Sequence, residues 1–206
     1  MKPFIRIFVA AAALVLCHSA GAAVINGTIG SIDGDGDGKA QERKIARVAF
    51  TVTANTQLFF DSLVMEPHSD LNRDGFITGF DNEMRLFDGR TLLVSNDDSG
   101  LTYGDGSQHP FDSAFSWTFE QAGTYLITLG VRGYGELDAL QGYQAGRMYQ
   151  AYYGFEPFGA WRLGLTALSG SVGNVHEIDG EVPEPGTLAL LGAGLLGAGW
   201  LRRRRR

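Results

Sequence analysis

One cysteine in 206 residues, Cys17, excludes an intrachain disulfide and any chemistry that needs two thiolates. Of the four histidines, His68, His109 and His176 lie beyond the N-terminal apolar segment, and none stands at zinc-ligand spacing from another histidine or cysteine. There is no Gly-x-Ser-x-Gly elbow and no glycine-rich phosphate loop. Carboxylate pairs for glycoside hydrolysis can be nominated in so acidic a chain, but none sits in a recognisable setting. The sequence therefore predicts a protein that is not an enzyme. A sustained 3.6-residue apolar period is also missing, which excludes long amphipathic helices. Only residues 139–153, with Gln, Ala, Met and Tyr, could support a short one.

What is present begins at the termini. Lys2 and Arg6 form a basic stretch, residues 7–16 are apolar, and Ala20-Gly21-Ala22 is a small-x-small cleavage site. This pattern predicts a secretory signal peptide over residues 1–22, removed before Ala23. The alternative, lipoprotein processing at Leu14-Val15-Leu16-Cys17, places a large residue where a small one belongs. Cleavage at Ala22 discards the only cysteine, although the exported compartment permits disulfides.

At the other end Pro183-Glu184-Pro185 precedes an apolar run ending at Leu201, and five arginines, Arg202 to Arg206, close the chain. As a helix, residues 186–201 would span roughly 24 Å at ~1.5 Å per residue. That is short for a ~30 Å hydrocarbon core, and the arginines would stay cytoplasmic by the positive-inside bias. Spacer, run and cationic stop resemble the PEP-CTERM sorting tail of Gram-negative bacteria, here residues 182–206. The resemblance implies passage through the inner membrane, anchoring there before processing, and recognition by an exosortase-type protease-transpeptidase. It also implies cleavage near Pro183, Glu184 and Pro185 and retention at the cell surface or in the extracellular matrix. The alternative is an ordinary short C-terminal anchor.

Removing both termini exposes the charge of what lies between. Residues 23–183 keep ten basic and twenty-two acidic residues, a net −12 against −6 for the whole chain. Such a surface repels nucleic acid and anionic lipid and favours divalent cations or neutral sugars. About 160 residues suffice for one domain with a proper core.

That domain, residues 23–181, reads as all-β. Segments 46–52, 57–65, 84–87, 91–94, 114–119, 124–131 and 161–168 are β-rich and bounded by Gly, Asp, Asn or Ser. In the last, Leu163, Leu165 and Ala167 share a face. Twenty-nine glycines suit many tight turns. The expected architecture is an antiparallel β-sandwich or jelly roll, flanked by the signal peptide and one C-terminal hydrophobic sorting helix. Phe50-Thr51-Val52-Thr53-Ala54, Leu86-Phe87-Asp88-Gly89, Ser95-Asn96-Asp97-Asp98-Ser99-Gly100 and Ala122-Gly123-Thr124-Tyr125-Leu126-Ile127-Thr128-Leu129 occur in that order. Together they resemble the bacterial pre-peptidase C-terminal-like β-sandwich over residues 46–130. This implies a binding or spacer module without catalytic machinery, with Asp81 and Asp88 where that family carries acidic residues. Residues 132–181 lie outside the resemblance.

The acidic loops carry the chemistry. In residues 70–81, Asp70, Asn72 and Asp74 stand at positions 1, 3 and 5 of a calcium loop, with Gly75 at the sharp turn. The Phe76 carbonyl, Thr78 through water, and Asp81 at position 12 would complete it, an aspartate there resembling dockerin-type loops. Asp33, Asp35 and Asp37 repeat the 1-3-5 pattern, but Lys44 holds position 12, so a site would borrow Glu42 or another loop. The Asn96-Asp97-Asp98 turn is a third candidate. For each, the alternative is a solvated turn. Calcium is the expected cofactor. A crowd of aromatics, Tyr143, Tyr149, Tyr152, Tyr153, Phe155, Phe158 and Trp161, suggests rings that could stack on sugars, with Tyr152, Tyr153 and Trp161 as candidates. The expected role is structural or adhesive in an exopolysaccharide-associated layer; the alternative is a carbohydrate-binding module for a surface polysaccharide.

Overall fold

Apolar residues at every second position of 46–52 give one inward face, Ala46, Val48, Phe50 and Val52, and a computed structural model builds a core on it. The structure describes residues 21–64, 70, 75, 79–99, 110–144 and 158–178. In chain order the elements are β1 (Ala22–Ile29), β2 (Ser31–Ile32), β3 (Glu42–Lys44), β4 (Ala46–Val52), β5 (Thr56–Leu63), β6 (Asn82–Asp88) and β7 (Thr91–Asn96). There follow β8 (Ala114–Phe119), β9 (Gly123–Val131), α1 (Glu136–Gln141), β10 (Tyr143–Gln144), β11 (Gly159–Ser169) and β12 (Val172–Glu177). All strand pairs are antiparallel. A four-stranded sheet runs β1-β11-β5-β8, a five-stranded sheet β12-β4-β9-β6-β7, and a small sheet β10-β3-β2.

The two large sheets face each other across one core. Phe50 from the five-stranded sheet meets Phe60 and Phe119 from the four-stranded sheet edge-on, at 5.6 and 5.8 Å between ring centres. Tyr125 on β9 closes on Phe119 at 4.5 Å. Leu163, Leu165 and Ala167 of β11 enter the same core, as their shared face predicts.

A second cluster lies on the outer face of the five-stranded sheet. Ile45, Phe87 and Leu126 pack there against Tyr134, Ala139 and Leu140. This cover explains why β4 is buried on both faces rather than on alternate residues. Tyr134 is fully buried; its hydroxyl donates to the Glu83 carbonyl at 2.9 Å, and Arg85 lies over its ring. Burial pushes its phenol far above the ordinary range.

Two expectations change, the helix over 139–153 and the exposure of Trp161. In the described part of the helix expected over 139–153, residues 139–141 close the short α1, Gly142 at φ 88° takes the left-handed position that ends a helix, and β10 follows at once. Residues 145–153 of that span lie outside the described residues. The segment beyond 131 is integral to the fold: β11 pairs with both β1 and β5, and β12 pairs with β4. Trp161, proposed as a sugar-stacking ring, is 0 % exposed in the core. It sits directly under β1, where a Cβ on Gly27 would lie 2.4 Å from Trp161 Cζ2. Among the described residues no helix is long and apolar enough to cross a membrane; the run after Pro185 lies outside them.

Two stability measurements follow from this packing. Trp161→Ala should lower the unfolding free energy by about 3–5 kcal/mol, as large-to-small changes in a close-packed core do. Gly27→Val should cost about 1–3 kcal/mol by overpacking against the same indole. Denaturant titration reads both; a Trp161→Ala protein of unchanged stability would contradict a buried indole.

Candidate functional site

The strands sort the connections to two ends of the sandwich. At one end lie the short turns at 53–55, 89–90, 120–122 and 170–171, with the start of β1 beside Thr166 of β11. The register of β4 with β9 (Ala46 opposite Leu129) and β6 with β9 (Asn82 opposite Val131) gathers the other connections at the opposite end. Those connections carry the Asp-rich segments, and the chain leaves β12 there too, the Ile178 amide bonding to the Arg47 carbonyl.

Buried polar groups hold this loop end. Asn82, fully buried, donates its amide to Asp112 Oδ1 at 3.0 Å and accepts Ser62 Oγ at 3.2 Å. Asp112 Oδ1 also takes the Val64 amide at 3.0 Å. The Ser113 hydroxyl lies 2.8–3.0 Å from the carbonyls of Asn82, Asn96 and Asp97, which fixes the turn carrying Asp97 and Asp98.

Two acidic constellations stand on this frame. In the first, the carboxylates of Asp33, Asp35 and Asp37 lie within 4.8 Å of one another, all exposed. Asp33 accepts the Gly38 amide at 3.0 Å, five residues on, and Gly38 has φ 85°. Asp70 accepts the Gly75 amide in the same way at 2.9 Å, with Gly75 at φ 95°. Both loops thus turn their first aspartate onto the sixth amide, at a glycine whose positive φ other residues rarely adopt. Lys44, the residue that spoiled position 12 of the first loop, is drawn off to Glu177 at 2.6 Å. Glu42 is buried and accepts the Gly34 amide at 3.0 Å, so it closes the base of the loop. The ammonium of Lys39 lies 2.9 Å from Asp37.

The second constellation joins residues that the sequence assigned to different loops. Asp81, 2 % exposed, lies with Asp97 and Asp98, their carboxylate oxygens within 4.8 Å. Arg132 bridges two of them, 3.3 Å to Asp81 and 3.1 Å to Asp97. No sequence signal singled out Arg132; the pairing spans 51 residues and arises from β6 lying beside β9. Burial pushes the Asp97 carboxyl up to about 6; Arg132 acts to lower it, while Asp81, Asp98 and Glu83 raise it further. Asn72, Asp74, Phe76 and Thr78 of the 70–81 loop, Tyr152 and Tyr153, and the motif Pro183, Glu184 and Pro185 lie outside the described residues.

The sign of a pH effect follows from Asp97. Its folded-state pKa lies above the ordinary aspartate value, so its contribution to stability is present in acid and is lost as pH rises from about 4 through about 6. Asp97→Asn should flatten that limb of the stability curve, relative to the parent, with little change below pH 4. Urea titrations across that range read the difference.

No curated protein matches the chain. Residues 181–206 match the PEP-CTERM protein-sorting motif, which implies export, membrane-anchored sorting and processing by an exosortase.

Proposed function

We propose that the protein is an exported, exosortase-processed constituent of the cell surface or exopolysaccharide matrix, in which a calcium-ordered β-sandwich has a structural or adhesive role. The sorting motif at 181–206 is the observation that carries the export and processing part. A signal peptide over residues 1–22 is compatible with the fold, since Ala22 is the first residue of β1 and cleavage after it would leave the rest of that strand intact. The C-terminal hydrophobic helix acts as the anchor before processing. Strands that alternate between two antiparallel layers favour the jelly-roll class, and the pre-peptidase C-terminal-like likeness extends to a non-catalytic module.

The calcium part rests on the Asp33-Asp35-Asp37 triad. Three exposed carboxylates within 4.8 Å repel one another, and a divalent cation would relieve that. The donor set is all hard oxygen, which suits calcium and not zinc or copper. The 70–81 loop, with Asp70, Asn72, Asp74, the Phe76 carbonyl, Thr78 and Asp81 as ligands, is the second site; Arg132 competes there for Asp81. Binding at either would offset part of the −12 charge and fix loops that no disulfide staples.

Saturating calcium should raise the melting temperature of the exported domain by roughly 5–10 °C, from ~2.7 kcal/mol at a hundredfold excess over Kd. Calorimetry of Asp33→Ala/Asp37→Ala and, separately, Asp70→Ala assigns the heat to one loop or the other. Absence of both heat and thermal shift would reduce the loops to solvated turns. For the tail, Pro183→Ala/Pro185→Ala should leave the precursor unprocessed and membrane-bound, visible as a size difference on immunoblots of cell fractions.

A further inference from the structure

A cleft of about 390 Å³ opens beside the first acidic loop, with Ile32, Asp33, Lys44, Gln141, Tyr143 and Ile178 among its walls. We propose that this cleft binds a neutral sugar residue of a polysaccharide, with Tyr143 as the stacking ring. The proposal rests on the matrix-associated reading for the source of the ligand, and on the cleft itself for its chemistry.

The ring is held in place. The backbone of Gly34 lies against it, since a Cβ there would fall 2.4 Å from Tyr143 Cγ and 2.7–2.8 Å from both Cδ atoms. On the strand side, Tyr143 pairs with Lys44 in the small sheet. Gln141 is fixed by bonds from its amide nitrogen to the Tyr143 carbonyl at 2.9 Å and to Asp138 at 3.3 Å. A second glycine, Gly142, brings the backbone onto Arg47, where a Cβ would lie 2.7 Å from the guanidinium Nε. A half-buried aromatic ring on a rigid floor is the surface on which a sugar's apolar face stacks, because the ordering cost is already met.

The charges select a neutral ligand. Lys44 is neutralised by Glu177 at 2.6 Å. Arg47, buried, gives its guanidinium to the Leu140 carbonyl at 2.8 Å. The Lys44 charge is thus offset by Glu177, the Arg47 guanidinium is buried and offers little surface to a ligand, and the surrounding −12 domain repels polyanions. What remains is a carboxylate at Asp33, an amide at Gln141 and an ammonium at Lys44, groups that exchange hydrogen bonds with hydroxyls. Apolar walls from Ile32, Ile45 and Ile178 complete the mixed lining typical of small-ligand sites, which run about 300–1,000 Å³. The aromatic crowd of the sequence thus points to a sugar site through Tyr143, while Trp161 belongs to the core.

Native affinity electrophoresis of the full chain tests this, in gels cast with neutral glucans, galactan or mannan, and with polyuronate as the anionic control. Each gel is run with calcium and with EDTA. Retardation by at least one neutral polymer is expected, weakened roughly two- to tenfold in Tyr143→Ala, as loss of a stacked ring predicts. Tyr143→Phe should retain it. Asp33→Asn, at an exposed position, should also weaken it in EDTA while leaving the melting temperature unchanged, so a misfolded Tyr143→Ala would not end the test. No retardation by any neutral polymer, retardation by polyuronate alone, or retardation indifferent to both Tyr143→Ala and Asp33→Asn would overturn the proposal. Retardation that persists in EDTA while calorimetry shows no calcium binding supports the cleft and removes only the calcium reading. Normal processing of the tail in a protein that binds no glycan removes only the cleft.

Discussion

Asn82 stands where the two layers of the sandwich meet the acidic loops. Its amide reaches Asp112, and its oxygen receives Ser62, so one buried side chain at the start of β6 joins the five-stranded sheet to the four-stranded one. Ser113 extends the link to the carbonyls of Asn96 and Asp97. In an apolar interior each of these groups would cost about 1–3 kcal/mol if left unpaired. Their mutual satisfaction therefore fixes the stems of the 64–81 and 97–113 connections together. Without a disulfide, this network and the aromatic core around Phe50 are what hold the loop end in register.

On that frame the acidic residues divide into two electrostatic regimes. Asp33, Asp35 and Asp37 are exposed, so water and ions screen them and a cation can approach. Asp81 is buried and already has an internal cation in Arg132, whose other contact is Asp97. A buried carboxylate left without such a partner would be costly. The arginine thus does within the fold what calcium is proposed to do at the exposed loop, and both regimes lie at the loop end of the sandwich.

Much of the sheet structure was legible in the sequence. The limits read for β4 and β8 agree with the structure, and β5, β6, β7, β9 and β11 differ by at most two residues at either end. Period-two alternation and flanking turn residues suffice for such strands. β1 escaped notice because Ala22-Ala23-Val24-Ile25-Asn26-Gly27 adjoins the cleavage site and is built of small residues, and Gly27 has its role only through Trp161. β12 escaped because its pairing with β4 shifts register between Gly173 and His176, which breaks the alternation. Trp161 was misread because aromatic crowding in sequence carries no information about which ring faces inward. The Asp81, Asp97 and Arg132 contacts were beyond local reading, since strand order brings them together.

The chain enters the sandwich at the hairpin end and leaves it at the loop end, so the tail departs from the pole that carries the acidic loops. Five residue steps separate Ile178 from Pro183, a reach of about 17 Å even when fully extended. Whatever surface holds the tail, the Tyr143 cleft and the Asp33 loop must hang within roughly one domain radius of it. The plain turns at Asn55, Gly89 and Gly170 become the outermost pole. On the proposed reading, a polymer held in the cleft would lie within that same distance of the supporting surface. Ligand binding and tethering would then share one pole of the domain and leave the other free.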